Sequence, residues 1–144
     1  MSVLLVPLSR DNVRAVCELR LADDQHHLVA PAAYTVAEGN YEPDAILRAI
    51  HLDETPVGVL LVEVENGTPH LVRFMIDANH QGRGIGSRAV ELLIDELRAD
   101  GWETLETSVV PVTGGADGFW RRCGFHGTDR THHGEPVFVR PLRP

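Results

Sequence analysis

The run His80-Gln-Gly-Arg-Gly-Ile-Gly-Ser87 constrains this chain more than any other stretch. Before it, residues 71–77 (Leu-Val-Arg-Phe-Met-Ile-Asp) read as a buried strand, and after it residues 87–99 read as a helix. The glycines therefore occupy a strand-to-helix turn. Gly82, Gly84 and Gly86 lack Cβ atoms, so the backbone there can take positive φ and approach a ligand closely. The free N–H groups of the following helix, at the positive end of its dipole, would face an anion. A pyrophosphate suits such a turn, although glycines in this spacing also serve merely to close a tight loop. The dinucleotide fingerprint G-x-G-x-x-G is not matched, and the Lys-Ser/Thr pair of a Walker loop is missing.

The order Gln81-Gly-Arg-Gly-Ile-Gly86 is Q-x-x-G-x-G, and after a strand it resembles the acyl-CoA pyrophosphate loop of the GNAT N-acetyltransferase superfamily. Within that superfamily, Arg73-Phe-Met-Ile-Asp77 followed by Gln81-Gly, together with Val29-Ala-Pro31, Val36-Ala-Glu38 and Tyr41-Glu-Pro43, is similar to the bacterial diamine (spermine/spermidine) acetyltransferases. The resemblance implies an α/β (α+β) fold. Its central sheet would be mixed, mostly antiparallel, of about six to seven strands, splayed between the fourth and fifth and flanked by helices.

Length and charge set bounds that fit. The chain has 144 residues with 43% apolar content, enough for one domain, 1–144, with its own core. No apolar run approaches a membrane span and the first residues lack a signal-peptide pattern, so a cytoplasmic location is expected. A net charge of −8 argues against a nucleic-acid partner and favours a cationic small molecule, though acidity also serves solubility alone. Cys17 and Cys123 fit no metal or disulfide spacing. Adjacent histidines at 26–27 and 132–133 would point apart on a strand, and no metal site is expected.

Along the chain, residues 3–7 read as a strand and residues 11–21 as a helix capped by Ser9, with Val13, Val16, Cys17 and Leu21 on one face. The segment 23–42 is looser, with a short helix over 35–40 capped by Thr35. It carries Asp23, Asp24, Glu38 and Glu42, with Asp44 just beyond. Residues 45–51 and 56–64 form a hairpin, and Asn66-Gly67 is a type I′ turn signal leading to the strand 71–77. Strict alternation there sends Leu71, Arg73, Met75 and Asp77 to one face and Val72, Phe74 and Ile76 to the other. Arg73, unable to act as a base, reads as a paired structural residue. The helix after the loop carries Ile85, Ala89, Leu93 and Leu97 at i+4 steps and stops at Asp100-Gly101. Residues 103–110 follow as a strand parallel to 71–77, and 127–140 as two closing strands around a tip at 131–134.

The resemblance carries further expectations onto single residues. Acetyl-CoA is the implied cofactor, its pantetheine arm lying in the splay against Met75, Ile76 and Asp77 and its pyrophosphate on Gln81, Gly82, Arg83, Gly84, Ile85, Gly86 and Ser87. A second signature, P-x-N-x-x-A-x-x-x-Y-x-x-x-G-F, is met by Pro111, Gly124 and Phe125. Thr113 stands at its Asn and Trp120 at its Tyr. In many relatives that Tyr protonates the departing thiolate, a role an indole N–H cannot take. Thr113, Phe119 and Trp120 remain implied cofactor contacts, with core packing the alternative for Phe119 and Trp120. Glu38, Tyr41 and Glu42 are the candidate acceptor contacts, since carboxylates hold ammonium groups by charge-assisted hydrogen bonds, with solvated loop charges the alternative for most carboxylates of this region. Glu106, facing with Thr104 and Ser108, and Tyr41 are the candidate catalytic groups. The implied reaction is attack of an amine on the thioester, with a polyamine as acceptor. Acetylation of an amine-bearing antibiotic or amino acid derivative, and acyl-CoA binding with little catalysis, are the alternatives. A homodimer is expected because closing strands in this superfamily commonly pair across subunits.

Overall fold

The computed structural model describes residues 2–21, 31–109 and 117–143. Seven strands form one sheet in the order β1-β2-β3-β4-β5-β7-β6. The elements run β1 (Val3–Pro7), α1 (Val13–Cys17), α2 (Ala32–Asn40), β2 (Ile46–Leu52), β3 (Thr55–Glu65), β4 (Thr68–Ile76), a 3₁₀ turn (Ala78–His80), α3 (Ile85–Ala99), β5 (Thr104–Ser108), α4 (Asp117–Arg122), β6 (His126–His132) and β7 (Glu135–Pro141). Every neighbouring pair is antiparallel except β4 and β5.

That exception positions everything else. The two parallel strands pair only at His70↔Glu106 and Leu71↔Thr107. Beyond that point β4 continues to Ile76 while β5 ends at Ser108, so the strands diverge in a V. The Thr107 hydroxyl donates to the Leu71 carbonyl at 2.9 Å and closes its vertex. From Leu71 at the vertex to Ile76 the strand advances five residues, a reach of roughly 17 Å at strand rise.

Two cores sandwich the sheet. On one face α3 buries Ile85, Ala89, Val90, Leu93, Ile94 and Leu97 against Leu60, Val62, Leu71 and Leu105, with Phe125 and Trp120 joining from the far edge. On the other, α1 and α2 bury Val16, Ala32 and Val36 against Ala49, Val59 and Met75. The helix after the loop and its left-handed stop at Gly101 (φ 90°) follow the i+4 spacing. The type I′ turn at Asn66-Gly67 is formed, with φ of 52° and 78°.

Three local expectations are corrected. The first helix is five residues long rather than spanning 11–21. At its start Ser9 N–H donates to the Asn12 side chain and Asp11 N–H to Ser9 Oγ, a turn that delays the helix. At its end Arg20 N–H donates to Asp77 and its carbonyl accepts from Ala78 N–H, so tertiary contacts pull the chain out of helical register. The second helix begins at Ala32 behind Pro31 rather than at a Thr35 cap, and Thr35 is buried within it. Small residues on that face let it sit low. A Cβ on Gly39 would stand 3.0 Å from Leu47 and 3.2 Å from Leu61.

The third correction concerns β4. Leu61 pairs with Arg73 but Val62 pairs with Leu71, leaving Val72 as an extra residue in a bulge. Alternation is reset there. Leu71 joins Phe74 and Ile76 on the α3 face, while Met75 packs with the α1/α2 core.

Candidate active site

The bulge sorts β4 into an apolar face against α3 and a polar face under α1 and α2. In antiparallel register Glu63 stands opposite His70 and Leu61 opposite Arg73, while the parallel pairing places Glu106 beside His70. A row of charged side chains therefore crosses the sheet beside the V. Arg73 Nε lies 3.1 Å from Glu38 Oε1 of α2. This is ion-pair distance without hydrogen-bond alignment, and both atoms are buried with no other partner. Arg73 also donates to the Val72 carbonyl at 3.1 Å and stands 5.7 Å over the Tyr34 ring, so its expected structural pairing is observed.

Glu63 is the residue that sequence reading passed over. Its carboxyl hydrogen-bonds Glu38, and its pKa is pushed up to about 7, first by burial and then by Glu38, Glu42 and Glu65. Glu63 Oε1 is buried and unpartnered. Two carboxyls this close cannot both ionise cheaply, so Glu63 holds its proton toward neutrality. The signal available in the sequence was the Glu-Val-Glu run at 63–65, whose alternation puts both carboxyls on one strand face.

A second cluster surrounds the vertex. His70 is 5% exposed, its Nε2 lies 3.0 Å from Ser108 Oγ, and its Nδ1 lies 3.9 Å from Glu106 Oε1. Its ring packs 4.7 Å from that of His132, which lies 2.8 Å from Glu65. Burial, then His132, lowers the His70 pKa, against the upward pull of Glu65 and Glu106. His70 is thus a neutral imidazole at physiological pH. Glu106 is engaged rather than free. Arg130 donates to both of its oxygens, at 2.8 and 3.3 Å. His132 and His133 do not point apart as expected, because His133 sits in a turn at φ 51° and the rings come within 4.2 Å.

The glycine turn lies at the open end of the V. Gly84, the N-cap of α3, has φ 78°, and Gly82 has φ 74°. A Cβ built on either would meet no protein atom within 4 Å. Those positions border open space at a helix N-terminus, the arrangement a pyrophosphate requires. Gln81 is exposed and its side chain donates to the Ile76 carbonyl at 3.1 Å, tying the loop to the strand's end. Arg83 and Ser87 are exposed at the turn, and Ile85 is buried as the anchor of α3. Gly86 faces Phe119, whose ring is 3.4 Å from where its Cβ would stand.

Asp77 braces this loop. Its oxygens accept from Arg20 N–H at 2.8 Å and Asn79 N–H at 3.1 Å, with His80 Nδ1 at 3.3 Å. Burial alone would raise its pKa, but these bonds outweigh burial and lower it. Its carboxylate is occupied by the protein, so what it gives the cradle is shape.

Trp120 is 7% exposed and lies edge-on to Phe74, Phe119 and Phe125, with centroids at 5.5, 4.9 and 5.3 Å. The core reading of Phe119 and Trp120 accounts for these contacts. Thr113, Pro111, Asp23 and Asp24 lie outside the described residues. Tyr41 stands 85% exposed just past α2, and its hydroxyl has no hydrogen-bond partner among the described residues. Glu42 is exposed beside it. Among the described residues no group of His, Cys, Asp and Glu is placed to hold a metal, and no helix is long and apolar enough to cross a membrane.

The site these residues build is a V between two parallel strands, entered past an open glycine turn at a helix N-terminus. Residues 13–125 match the family model described as the acetyltransferase (GNAT) family, and the chain belongs to that family. It is an acetyltransferase that uses acetyl-CoA. Among solved structures, it superposes on an acetyltransferase from Thermus thermophilus with a TM-score of 0.80 and 22% identity, covering 98% of this chain and 97% of that one. The ribosomal-protein-S18-alanine N-acetyltransferase of Escherichia coli gives 0.74 at 17% identity, covering 99% and 96%. PaiA N-acetyltransferase of Thermoplasma acidophilum, in complex with coenzyme A, gives 0.73 at 12% identity, covering 98% and 99%. These likenesses establish the seven-strand fold. No curated protein matches significantly by sequence.

Proposed function

We propose that this chain transfers the acetyl group of acetyl-CoA to a primary amine of a small cationic acceptor such as a polyamine. The observation that carries this reading is the Glu38–Glu63 pair on the face beside the V. Among the described residues it leaves Glu63 Oε1 and Glu38 Oε1 buried without an aligned hydrogen bond, the latter at ion-pair distance from Arg73, and the Glu63 carboxyl half protonated at neutrality. An ammonium group delivered there would displace the Glu63 proton and satisfy those oxygens by charge-assisted hydrogen bonds. Glu42 and Tyr41, exposed at the end of α2, complete the approach from solvent.

Bound acetyl-CoA would supply an activated acetyl group on a thioester. The turn from Gln81 into the start of α3 at Ser87 would hold its pyrophosphate through backbone N–H groups. The edge of β4 at Met75 and Ile76, which no β5 residue pairs among the described residues, would guide the arm toward the vertex, with Asp77 fixing the loop and Phe119 packing against Gly86. Thr113 is kept as a contact from the sequence pattern alone. Holding amine and thioester in one geometry converts a bimolecular attack into an intramolecular one, which is the larger part of the catalysis. The open edge of β6, outermost in the sheet, is where a second copy would pair.

Thiol release from acetyl-CoA, measured across putrescine, spermidine, spermine, aminoglycosides and amino acids, tests the proposal. Polyamines are expected to give the highest kcat/KM, and Glu38→Gln or Glu63→Gln to raise the amine KM about tenfold, equivalent to about 1.4 kcal/mol, with the acetyl-CoA KM unchanged. Turnover confined to antibiotics or amino acids would sink it.

A further inference from the structure

We infer that Ser108 and His70 form a proton relay at the vertex of the V, taking the proton from the attacking amine and returning it to the departing CoA thiolate. The inference rests on the family's reaction and is independent of which amine is acetylated.

Its geometry is local and specific. Ser108 is the residue after the last cross-strand pair, so its side chain stands where β4 and β5 begin to separate, on the same face as Glu106. An arm entering past Gln81 and running along β4 would reach toward this point. Behind the Ser108 hydroxyl, at 3.0 Å, is Nε2 of a histidine only 5% exposed. The groups around that imidazole come from three strands. Glu63 and Glu65 lie on β3, Glu106 on β5, and Arg130 and His132 on β6. With its proton on Nδ1, toward Glu106 at 3.9 Å, neutral His70 presents a lone pair to the Ser108 O–H. Arg130 holds Glu106 by both oxygens and so fixes a carboxylate 3.9 Å from the ring's Nδ1.

The balance is complete without a further reactant. As the amine nitrogen bonds to the acetyl carbon, its proton passes to Ser108 Oγ while the Ser108 proton passes to His70 Nε2. The carbon–sulfur bond then breaks, its electron pair leaving on sulfur. The proton returns from His70 through Ser108 to that thiolate, and both residues regain their starting states. This assigns a donor for the thiolate in a chain whose Trp120 is packed in the core and has no proton to give. Ser108 is the residue in contact with the reacting atoms, and His70 acts through it as a positioning residue.

Two measurements test the relay. By NMR, the His70 ring, assigned by its loss in His70→Gln, is expected to titrate below 6.5 in the free protein. On addition of CoA its titration should shift, and Ser108→Ala should abolish that shift. With the fastest amine found, Ser108→Ala and His70→Gln are each expected to lower kcat about 10²-fold, leave the acetyl-CoA KM unchanged and remove the acid limb of the pH–rate profile. Ser108→Thr, which keeps the hydroxyl, should retain both rate and profile. A His70 titration indifferent to CoA, or full activity and an unchanged profile in either variant, overturns the relay. If His70 responds to CoA but only antibiotics or amino acids are acetylated, the relay stands and the polyamine reading falls.

Discussion

At the scale of single residues, Glu63 shows how a side chain ordinary in the sequence becomes exceptional through its neighbours. In the chain it is one acidic position on an alternating strand. In the fold it is hydrogen-bonded to Glu38, a carboxyl brought from α2, and its pKa rises from 4.5 to about 7. The folded state therefore binds this proton more tightly than the unfolded chain. Stability from it is present below pH 4.5 and is lost as pH rises toward 7. Glu63→Gln is expected to stabilise the protein above pH 7 by about 1 kcal/mol, a linkage value discounted because Glu63 is only half-buried. It should have no effect near pH 4. Thermal melts of both proteins at pH 4 and pH 8 check this, and an equal offset at both would contradict the raised Glu63 pKa. His70 was hidden for a different reason: the apolar run at 71–77 drew the expected start of the strand one residue past it, whereas β4 begins at Thr68.

At the scale of elements, the strand–loop–helix unit from β4 to α3 was legible because each step rests on local chemistry. The apolar run, the glycines and the i+4 stripe fall within one continuous stretch. Gly84→Glu should abolish CoA binding measured by calorimetry while the circular dichroism spectrum is retained. The substitution adds about 1–2 kcal/mol of left-handed strain at φ 78°, but its side chain enters open space and carries the wrong charge for the cradle. Asp77→Ala removes the acceptor for Arg20 and Asn79 N–H. Faster amide exchange at those two positions is the expected readout, with weaker CoA binding because the loop loses its brace. The lengths of α1 and α2 were less legible. Asp77, 57 positions along the chain from Arg20, ends the first excursion, and such a partner has no local sequence signal.

For the whole molecule, the sheet is held by two cores of different kinds. Trp120 bridges α4 to β4 within the larger one, and Trp120→Ala is expected to cost about 3–5 kcal/mol as a cavity opens among Phe74, Phe119 and Phe125. Trp120→Phe should fold and keep kcat within about twofold, since the indole is assigned to packing. A large drop in kcat at unchanged stability would instead give Trp120 a part in the chemistry. The sequence by itself determined the glycine turn, the single parallel crossover and the resemblance to the family whose model the chain matches. Those features depend on glycine stereochemistry and on hydrophobic period, which act between near neighbours. Only the tertiary structure decided which charged groups meet. The Val72 bulge resets alternation on β4, and the parallel register sets Glu106 beside His70. The low seat of α2 brings Glu38 to Arg73 and Glu63. The glycine turn is thus legible in the sequence, while the cluster at the other end of the V exists only once β3, β5 and β6 bring their charged groups to His70 on β4.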